Sequence, residues 1–366
     1  MSIWHFIFKF VSNFFRSDEI LKNVCCVILA AGEGKRMKSS EPKVLSSVLF
    51  EPMVGWVINT VVNCGIADIC VVTGYKYKKL REYLDSLGHN LESVIQHERK
   101  GTAHAVMTAV DFLKKNINGD VLILGGDAPF IDKATITKAY KIHKNSSNAA
   151  TIISARVDNP TGYGRIIRNN EDYGVEAIVE ESDANFSERS ICEINSGAYW
   201  FKVKDLIECL DKVTNETSQN EYYLTSTIEL LIKGGYRVDA FETPSSDVAL
   251  GANDTRQLQN LNEIARNKVI DGLMEEGVKI PCRDGIIVDK WVKVGSGTTI
   301  FPGTILMGNT VIGKECMIGP NSQIIDSRIG SRVTINQSYC KNAKIDDDQH
   351  VGPFASILNI EDLMSN

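Results

Sequence analysis

The 366-residue sequence has no CxxC pair, and no histidine stands at zinc-ligand spacing from two cysteines. Its nine cysteines are odd in number and, apart from the adjacent Cys25 and Cys26, scattered. This excludes a disulfide-framed miniprotein and a zinc ribbon, and favours reduced, mostly buried thiols in a cytosolic protein. An excess of positive charge is also missing: 40 Lys and Arg against 46 Asp and Glu leave a formal net charge of −6. Such a chain has no bulk attraction for nucleic acid or anionic membrane, so an anionic substrate must be met by a local basic cluster. Long apolar runs are absent near the start of the fold, where residues 24–31 fall far short of the roughly 20 needed to cross a bilayer. What is present is ordinary: 43% hydrophobic and 23% charged residues, enough for a sizeable core. The length predicts two domains, or three.

Residues 1–23 stand apart. Trp4, Ile7, Phe8, Val11, Phe14 and Phe15 recur at helical spacing, with Lys9, Arg16 and Lys22 among them. Lys9 interrupts the apolar stretch and no small-residue cleavage site follows, which argues against a secretory signal. Two readings stay open: a helix lying on a membrane surface, and a helix that packs on the body of the protein or extends it from an upstream start. The rest of the chain carries no membrane signal, which weighs toward the second.

From residue 24 the chain alternates strand-like and helix-like segments. Residues 24–29, 69–73 and 121–124 are short β-rich runs, and 149–155 and 194–201 follow. Helical patterns lie at 53–63, 78–87 and 103–116, and 159–189 is irregular. This alternation predicts a doubly wound α/β sheet that binds ligands beyond the carboxyl ends of its strands. Residues 255–276, with Leu258, Leu261, Ala265, Val269 and Leu273 on one face, predict a connecting helix. After about residue 286 an aliphatic–Gly step recurs at Val294-Gly295, Ile312-Gly313, Ile318-Gly319 and Ile329-Gly330. Ile300, Ile305, Val311, Met317 and Ile324 are five to seven residues apart and are expected to face inward. This is the hexapeptide period of a β-helix, expected to fade near Ile345 after about four coils of roughly eighteen residues.

The chemistry gathers in the first part. Leu29-Ala-Ala-Gly-Glu-Gly-Lys-Arg-Met37 follows the first strand, and Pro42-Lys43 comes soon after. Its glycines can turn backbone N–H groups toward phosphates, and Arg36 and Lys43 can neutralise them. Met37 stands where the dinucleotide fingerprint needs its third Gly, and a Walker A motif is absent. A solvated glycine turn is the plain alternative. Gly125-Gly126-Asp127 closes the strand at 121–124, where Asp127 reads either as a Mg²⁺ ligand or as the cap of the next helix. The neighbouring glycine loop tips the balance to the metal. His104 and the Tyr222-Tyr223 pair read as structural, and no Ser–His or Cys–His constellation is evident.

These motifs occur in one order with Gln96, Gly101-Thr102, Thr161-Gly-Tyr-Gly-Arg165, Glu180, Glu193-Ile-Asn-Ser-Gly197, Glu221-Tyr-Tyr223 and Asn253. From about Val24 to Ala355 the chain closely resembles the bacterial bifunctional UDP-N-acetylglucosamine pyrophosphorylase / glucosamine-1-phosphate N-acetyltransferase. The resemblance implies a Rossmann-like nucleotidyltransferase domain, a linking helix and a left-handed parallel β-helix. It divides the chain into an extension at 1–23, the nucleotidyltransferase domain at 24–253, the linking helix at 254–284 and a shortened β-helix at 285–366.

The resemblance also assigns roles. The backbone of Leu29, Ala30, Ala31 and Gly32, with Gln96, Gly101 and Thr102, would hold the uridine. Arg36 and Lys43 would meet the phosphates, beside Gly125 and Gly126. Asp127 and Asn253 would ligate Mg²⁺, and Gly164, Glu180 and Asn195 would contact the sugar. The implied reaction joins UTP and N-acetylglucosamine 1-phosphate into UDP-N-acetylglucosamine in the cytoplasm, for peptidoglycan and lipopolysaccharide. Three positions depart from the family: Gly125 where an aromatic residue is frequent, Ser182 where a Lys is, and Ser226 where an Asp is. The family's further β-helix coils, which carry the acetyltransferase, are missing here. The expectation is therefore a trimerising stub without acetyltransferase activity. Alternatives are a transferase for another nucleotide or sugar 1-phosphate and a non-catalytic sugar-nucleotide binder. Retention of Arg36, Lys43, Asp127 and Asn253 argues against the binder.

Overall fold

The computed structural model describes residues 21, 23–37, 41–169, 171, 173–215 and 220–358. The amphipathic reading of residues 1–23 lies, except for Leu21 and Asn23, outside them. The chain forms two compact units: residues up to Ser46 with Pro52–Thr255, and Ser47–Glu51 with residues from Arg256 on. Among the described residues no helix is long and apolar enough to cross a membrane.

The first unit is built on a nine-stranded sheet. Its strands are β1 (Val24–Ala30), β4 (Asp68–Thr73), β5 (Leu91–Ile95), β6 (Asp120–Gly125), β7 (Ala150–Arg156), β8 (Arg165–Arg168), β9 (Val175–Val179), β10 (Glu193–Lys202) and β11 (Val238–Thr243); outside this sheet the short β2 (Ser47–Val48) and β3 (Glu51–Pro52) pair with each other. The order is β11-β7-β10-β6-β1-β4-β5, with β8 and β9 as a hairpin off β10. The pairs of β1 with β4 and β6, of β4 with β5, and of β11 with β7 are parallel; β10 runs antiparallel between β6 and β7.

Parallel strands covered on both faces read as unbroken apolar runs. β1 illustrates this. Cys26, Ile28 and Ala30 enter the core on one face, and Cys25, Val27 and Ala31 the core on the other. All nine cysteines are free thiols, and seven are buried. The chain leaves β1 toward β4 and β5, then returns to the opposite side of β1 with β6. The order of connection therefore reverses between β1 and β6, the place where such sheets bind ligands.

Three local expectations change. Residues 103–116 form two short helices, Thr102–Thr108 and Val110–Lys115, broken at Ala109. The irregular stretch 159–189 contains the β8–β9 hairpin, whose few residues hide its period. The long helix runs Thr255–Glu275, and Ile270 joins Leu261, Ala265 and Leu273 as a buried residue in place of Leu258 and Val269.

In the second unit thirteen short strands stack into three parallel sheets of five, four and four strands, the coils of a left-handed β-helix. Ile287 pairs with Ile305 and Ile305 with Gln323, one coil apart each time. The inward residue is the one before the glycine: Ile312, Ile318 and Ile329 are buried. The expected inward set is therefore one residue out of phase at three positions. Ile305 and Val311 are only partly buried and Met317 is half exposed, while Leu306, Ile312 and Ile318 fill the core. A strand of two or three residues points one side chain inward, and an aliphatic neighbour on the outer face mimics it. The coils also continue past Ile345, through His350–Val351 to Ser356–Leu358. The polar turn 346–349 masks the repeat there.

Candidate functional site

The carboxyl ends of β1 and β6 converge on one cation. Lys43 sits in a short 3-10 turn, Lys43–Leu45, and is only 8% exposed. Its Nζ donates to Asp127 Oδ2 at 2.5 Å and to Asn253 Oδ1 at 2.6 Å. The glycine loop holds the lysine stem. Gly34 adopts φ +64°, and a Cβ there would lie 2.6 Å from Lys43 Cβ, so only glycine lets the loop close on it. On the other side, a Cβ at Gly251 would come within 2.9 Å of the Asp127 carbonyl oxygen, which brings the Asn253 segment against the strand end. A Cβ at Gly125 would stand 2.9 Å from Asp127 Oδ1.

The cap of the next helix is Asp132, whose side chain accepts from Thr135 N at 2.8 Å. Asp127 is thus released from capping and faces Lys43. Arg36 lies in the turn Lys35–Met37, exposed, with no ion-pair partner among the described residues. The structure brings Lys43, Asp127 and Asn253 together and leaves Arg36 at the rim. Among the described residues no cluster of three or more His, Cys, Asp or Glu could hold a metal ion. Two oxygens that already converge on an ammonium suit a hard divalent cation completed by phosphate and water.

A second group lies at β4, β5 and the helix Thr102–Thr108. The Gln96 backbone N–H bonds the Thr73 carbonyl at 2.8 Å, and its side-chain Nε2 reaches Gly101 O at 3.1 Å and His104 Nδ1 at 2.9 Å. Gly101 has φ +107°, and a Cβ there would strike Tyr222 O at 2.5 Å. The same strap is held by Ala103 N donating to Tyr222 O and by Leu224 N donating to Thr102 Oγ1. Leu29 O accepts from Gly126 N at 2.9 Å, and Ala31 O from Tyr75 N at 3.3 Å. Ala30 is buried, whereas Gly32 is exposed with open space where a Cβ would point.

A third group assembles from the β8–β9 hairpin and β10. Gly164 O accepts from Asn195 N at 2.8 Å, and a Cβ on Gly164 would stand 3.3 Å from Glu180 Oε2 and 3.6 Å from Asn195 Cβ. The three expected sugar residues are thus neighbours. Glu180 Oε1 accepts from Thr225 Oγ1 at 2.9 Å. Burial pushes the Glu180 carboxyl above the usual glutamate range; the Thr225 hydrogen bond opposes the rise and Asp183 adds to it. Asn195 Nδ2 donates to Tyr199 OH at 2.6 Å, in a bulge of β10. Below them, the fully buried Arg165 donates to Glu181 Oε2 at 2.6 Å, and Gly162 N reaches the same oxygen at 3.1 Å. This clamp ties both arms of the hairpin.

Sequence reasoning missed Thr225, Tyr199 and the Arg165–Glu181 pair. Each acts through a neighbour distant in sequence, with no local signature. Of the departures, Ser182 is exposed and Ser226 partly buried.

The nucleotidyl transferase family profile matches residues 25–301, and the bacterial transferase hexapeptide (six repeats) profile matches 292–326. The bifunctional protein GlmU of Acetivibrio thermocellus is 42% identical over 331 residues, which is 90% of this chain and 71% of its own. That of Caldanaerobacter subterraneus subsp. tengcongensis is 40% identical over 337 residues, 92% and 72%. Among solved structures, a UDP-glucose pyrophosphorylase complexed with UDP-glucose superposes at TM-score 0.56 and 17% identity, over 66% of this chain and 98% of that one. A Bacillus anthracis protein assigned as a glucose-1-phosphate thymidylyltransferase gives 0.55 and 21%, over 67% and 96%. At these identities the structural likeness shows the fold.

Proposed function

The chain belongs to the GlmU family of nucleotidyl transferases, and on that footing we propose that its first unit transfers a uridylyl group from UTP to N-acetylglucosamine 1-phosphate. The products are UDP-N-acetylglucosamine, a precursor of cell-wall polysaccharides, and pyrophosphate. The observation that carries this reading is the convergence of Lys43, Asp127 and Asn253 at the reversal point of the sheet.

The reaction needs no protein nucleophile. An oxygen of the sugar phosphate attacks the α-phosphorus, and the bond to the bridging oxygen of pyrophosphate breaks in line. Lys43 meets the charge that develops on the phosphates, with Arg36 at the rim. The backbone of Leu29–Gly32, Gly125 and Gly126 borders the nucleotide, and Gln96, Gly101 and Thr102 hold its base end. Gly164, Glu180 and Asn195 receive the sugar; glycine at 164 leaves room, and the carboxylate accepts hydroxyl protons. Family members are metal dependent, and Asp127 and Asn253 would hold Mg²⁺. The ion, when bound, neutralises phosphate charge.

We assign the reaction to the cytoplasm, where UTP is made, and the hexapeptide coils to a homotrimer. The test is pyrophosphate release over a panel of nucleoside triphosphates and sugar 1-phosphates, with Mg²⁺ or EDTA. The highest kcat/KM should belong to UTP with N-acetylglucosamine 1-phosphate, and EDTA should abolish it. A higher value for another pair would reassign the substrate.

A further inference from the structure

In the β8–β9 hairpin, backbone pairing stops one step short of the proposed sugar residues. The last pair at that end is Arg165 with Val179. Gly164 and Glu180 come next on the two arms, beyond the ladder. Each is tied elsewhere: Gly164 O accepts from Asn195 N at 2.8 Å, and Glu180 O accepts from Asp183 N and from Ala184 N, each at 3.0 Å. None of these bonds joins one arm to the other.

A single carboxylate oxygen does. Glu181 Oε2 accepts from Arg165 Nη2 at 2.6 Å and from Gly162 N at 3.1 Å, so it grips the first arm on both sides of Gly164. The Arg165 bond and then the Gly162 bond hold the Glu181 carboxyl below the usual glutamate range. The guanidinium also donates to Tyr163 O and, at 3.3 Å, to Arg189 O at the end of the short helix Phe186–Arg189. Arg165 is only 1% exposed, and a charge taken out of water must keep its partners. Its planar fork fixes their directions as well.

We propose that Glu181, acting through Arg165 and Gly162, is a positioning residue for the sugar: it sets the gap between Gly164 and Glu180, and so where the Glu180 carboxylate meets a sugar hydroxyl. This deepens the reading above, since it rests on Gly164, Glu180 and Asn195 receiving the sugar. The gap is narrow, because a Cβ on Gly164 would stand 3.3 Å from Glu180 Oε2. Hydroxyl-to-carboxylate bonds are short and weaken steeply as they lengthen or bend, so arms that part by a few tenths of an ångström lose affinity for the sugar. The nucleotide, held in that reading by the ends of β1 and β6 and the helix Thr102–Thr108, should not register the change.

The test is calorimetric binding of UDP-N-acetylglucosamine and, separately, of UDP to the full chain, which differ in the sugar. Glu181→Ala should weaken UDP-N-acetylglucosamine by about tenfold, the worth of one hydrogen bond to a charged group, and leave UDP within about twofold of wild type. Glu181→Gln keeps a side-chain oxygen that can take both donors, and should stay within about threefold of wild type for both ligands. The Glu181 side chain is 34% exposed, so water can reach the guanidinium when the carboxylate is removed. Should Glu181→Ala fail to fold, Glu181→Ser, too short to span to Gly162 but able to hold water there, carries the same expectation. The proposal is overturned by unchanged affinity for UDP-N-acetylglucosamine in Glu181→Ala, by an equal loss for UDP, or by Glu181→Gln falling as far as Glu181→Ala. If another UDP-sugar binds more tightly, the functional reading changes, and the same comparison made with that sugar decides the role of Glu181. A wild type that binds UDP-N-acetylglucosamine through this clamp yet releases no pyrophosphate from UTP breaks the functional reading and leaves the clamp standing.

Discussion

The proposed phosphate end and the proposed sugar end of the first unit solve opposite problems. At the phosphate end, charge is concentrated and paired: one ammonium lies between a carboxylate and an amide oxygen, and the Asp127 side chain is 36% exposed. At the proposed sugar end, the Glu180 carboxylate is desolvated, with Asp183 adding to the rise in its pKa, and is supported by a neutral hydroxyl. Anionic substrates call for charge that can be exchanged for theirs. A neutral, hydroxylated sugar calls for acceptors held in place with little competing water. The first arrangement should govern turnover and the second affinity for one substrate.

The contrast is exposed most severely at Asp127. Asp127→Ala should lower kcat/KM by about a thousandfold or more and remove the response to added Mg²⁺, read by pyrophosphate release. Lys43→Met should cost about a hundredfold or more in kcat with a smaller change in the sugar KM. An equal loss through the sugar KM alone would erase the distinction between the two ends.

At the other end, Glu180→Gln should raise the KM for N-acetylglucosamine 1-phosphate about tenfold and leave the KM for UTP close to wild type. The raised Glu180 pKa has a pH signature. As pH falls toward it, above the usual value near 4.3, the carboxylate gains a proton and loses an acceptor, so the sugar KM should climb. Glu180→Gln, titrated in parallel, should lack that step. The smallest effect belongs to Thr225→Val, about three- to fivefold on the sugar KM, with Thr225→Ser close to wild type. A change in the UTP KM instead would assign Thr225 to the nucleotide.

The two ends also differed in how far they could be read from sequence. The alternation of apolar runs carried the sheet, because strands buried on both faces are continuous in sequence. The aliphatic–Gly steps marked the β-helix core at Ile312, Ile318 and Ile329, yet spacing alone put Val311 and Met317 inside. Gly34 and Asp127 were visible as a loop and a strand end. Their joint purpose was not: Lys43 meets Asp127 across 84 residues and Asn253 across 210. Only the resemblance brought those three into one site. Gln96 was visible in the same way, and the contact that His104, eight residues on, makes with its amide exists only in the fold.

The most direct measurement is the identity of the product when the purified chain is given UTP, N-acetylglucosamine 1-phosphate and Mg²⁺, followed by mass spectrometry and phosphorus NMR. UDP-N-acetylglucosamine and pyrophosphate should form in equal amounts, and neither should form with EDTA. Intact substrates after incubation with Mg²⁺ would contradict the assignment.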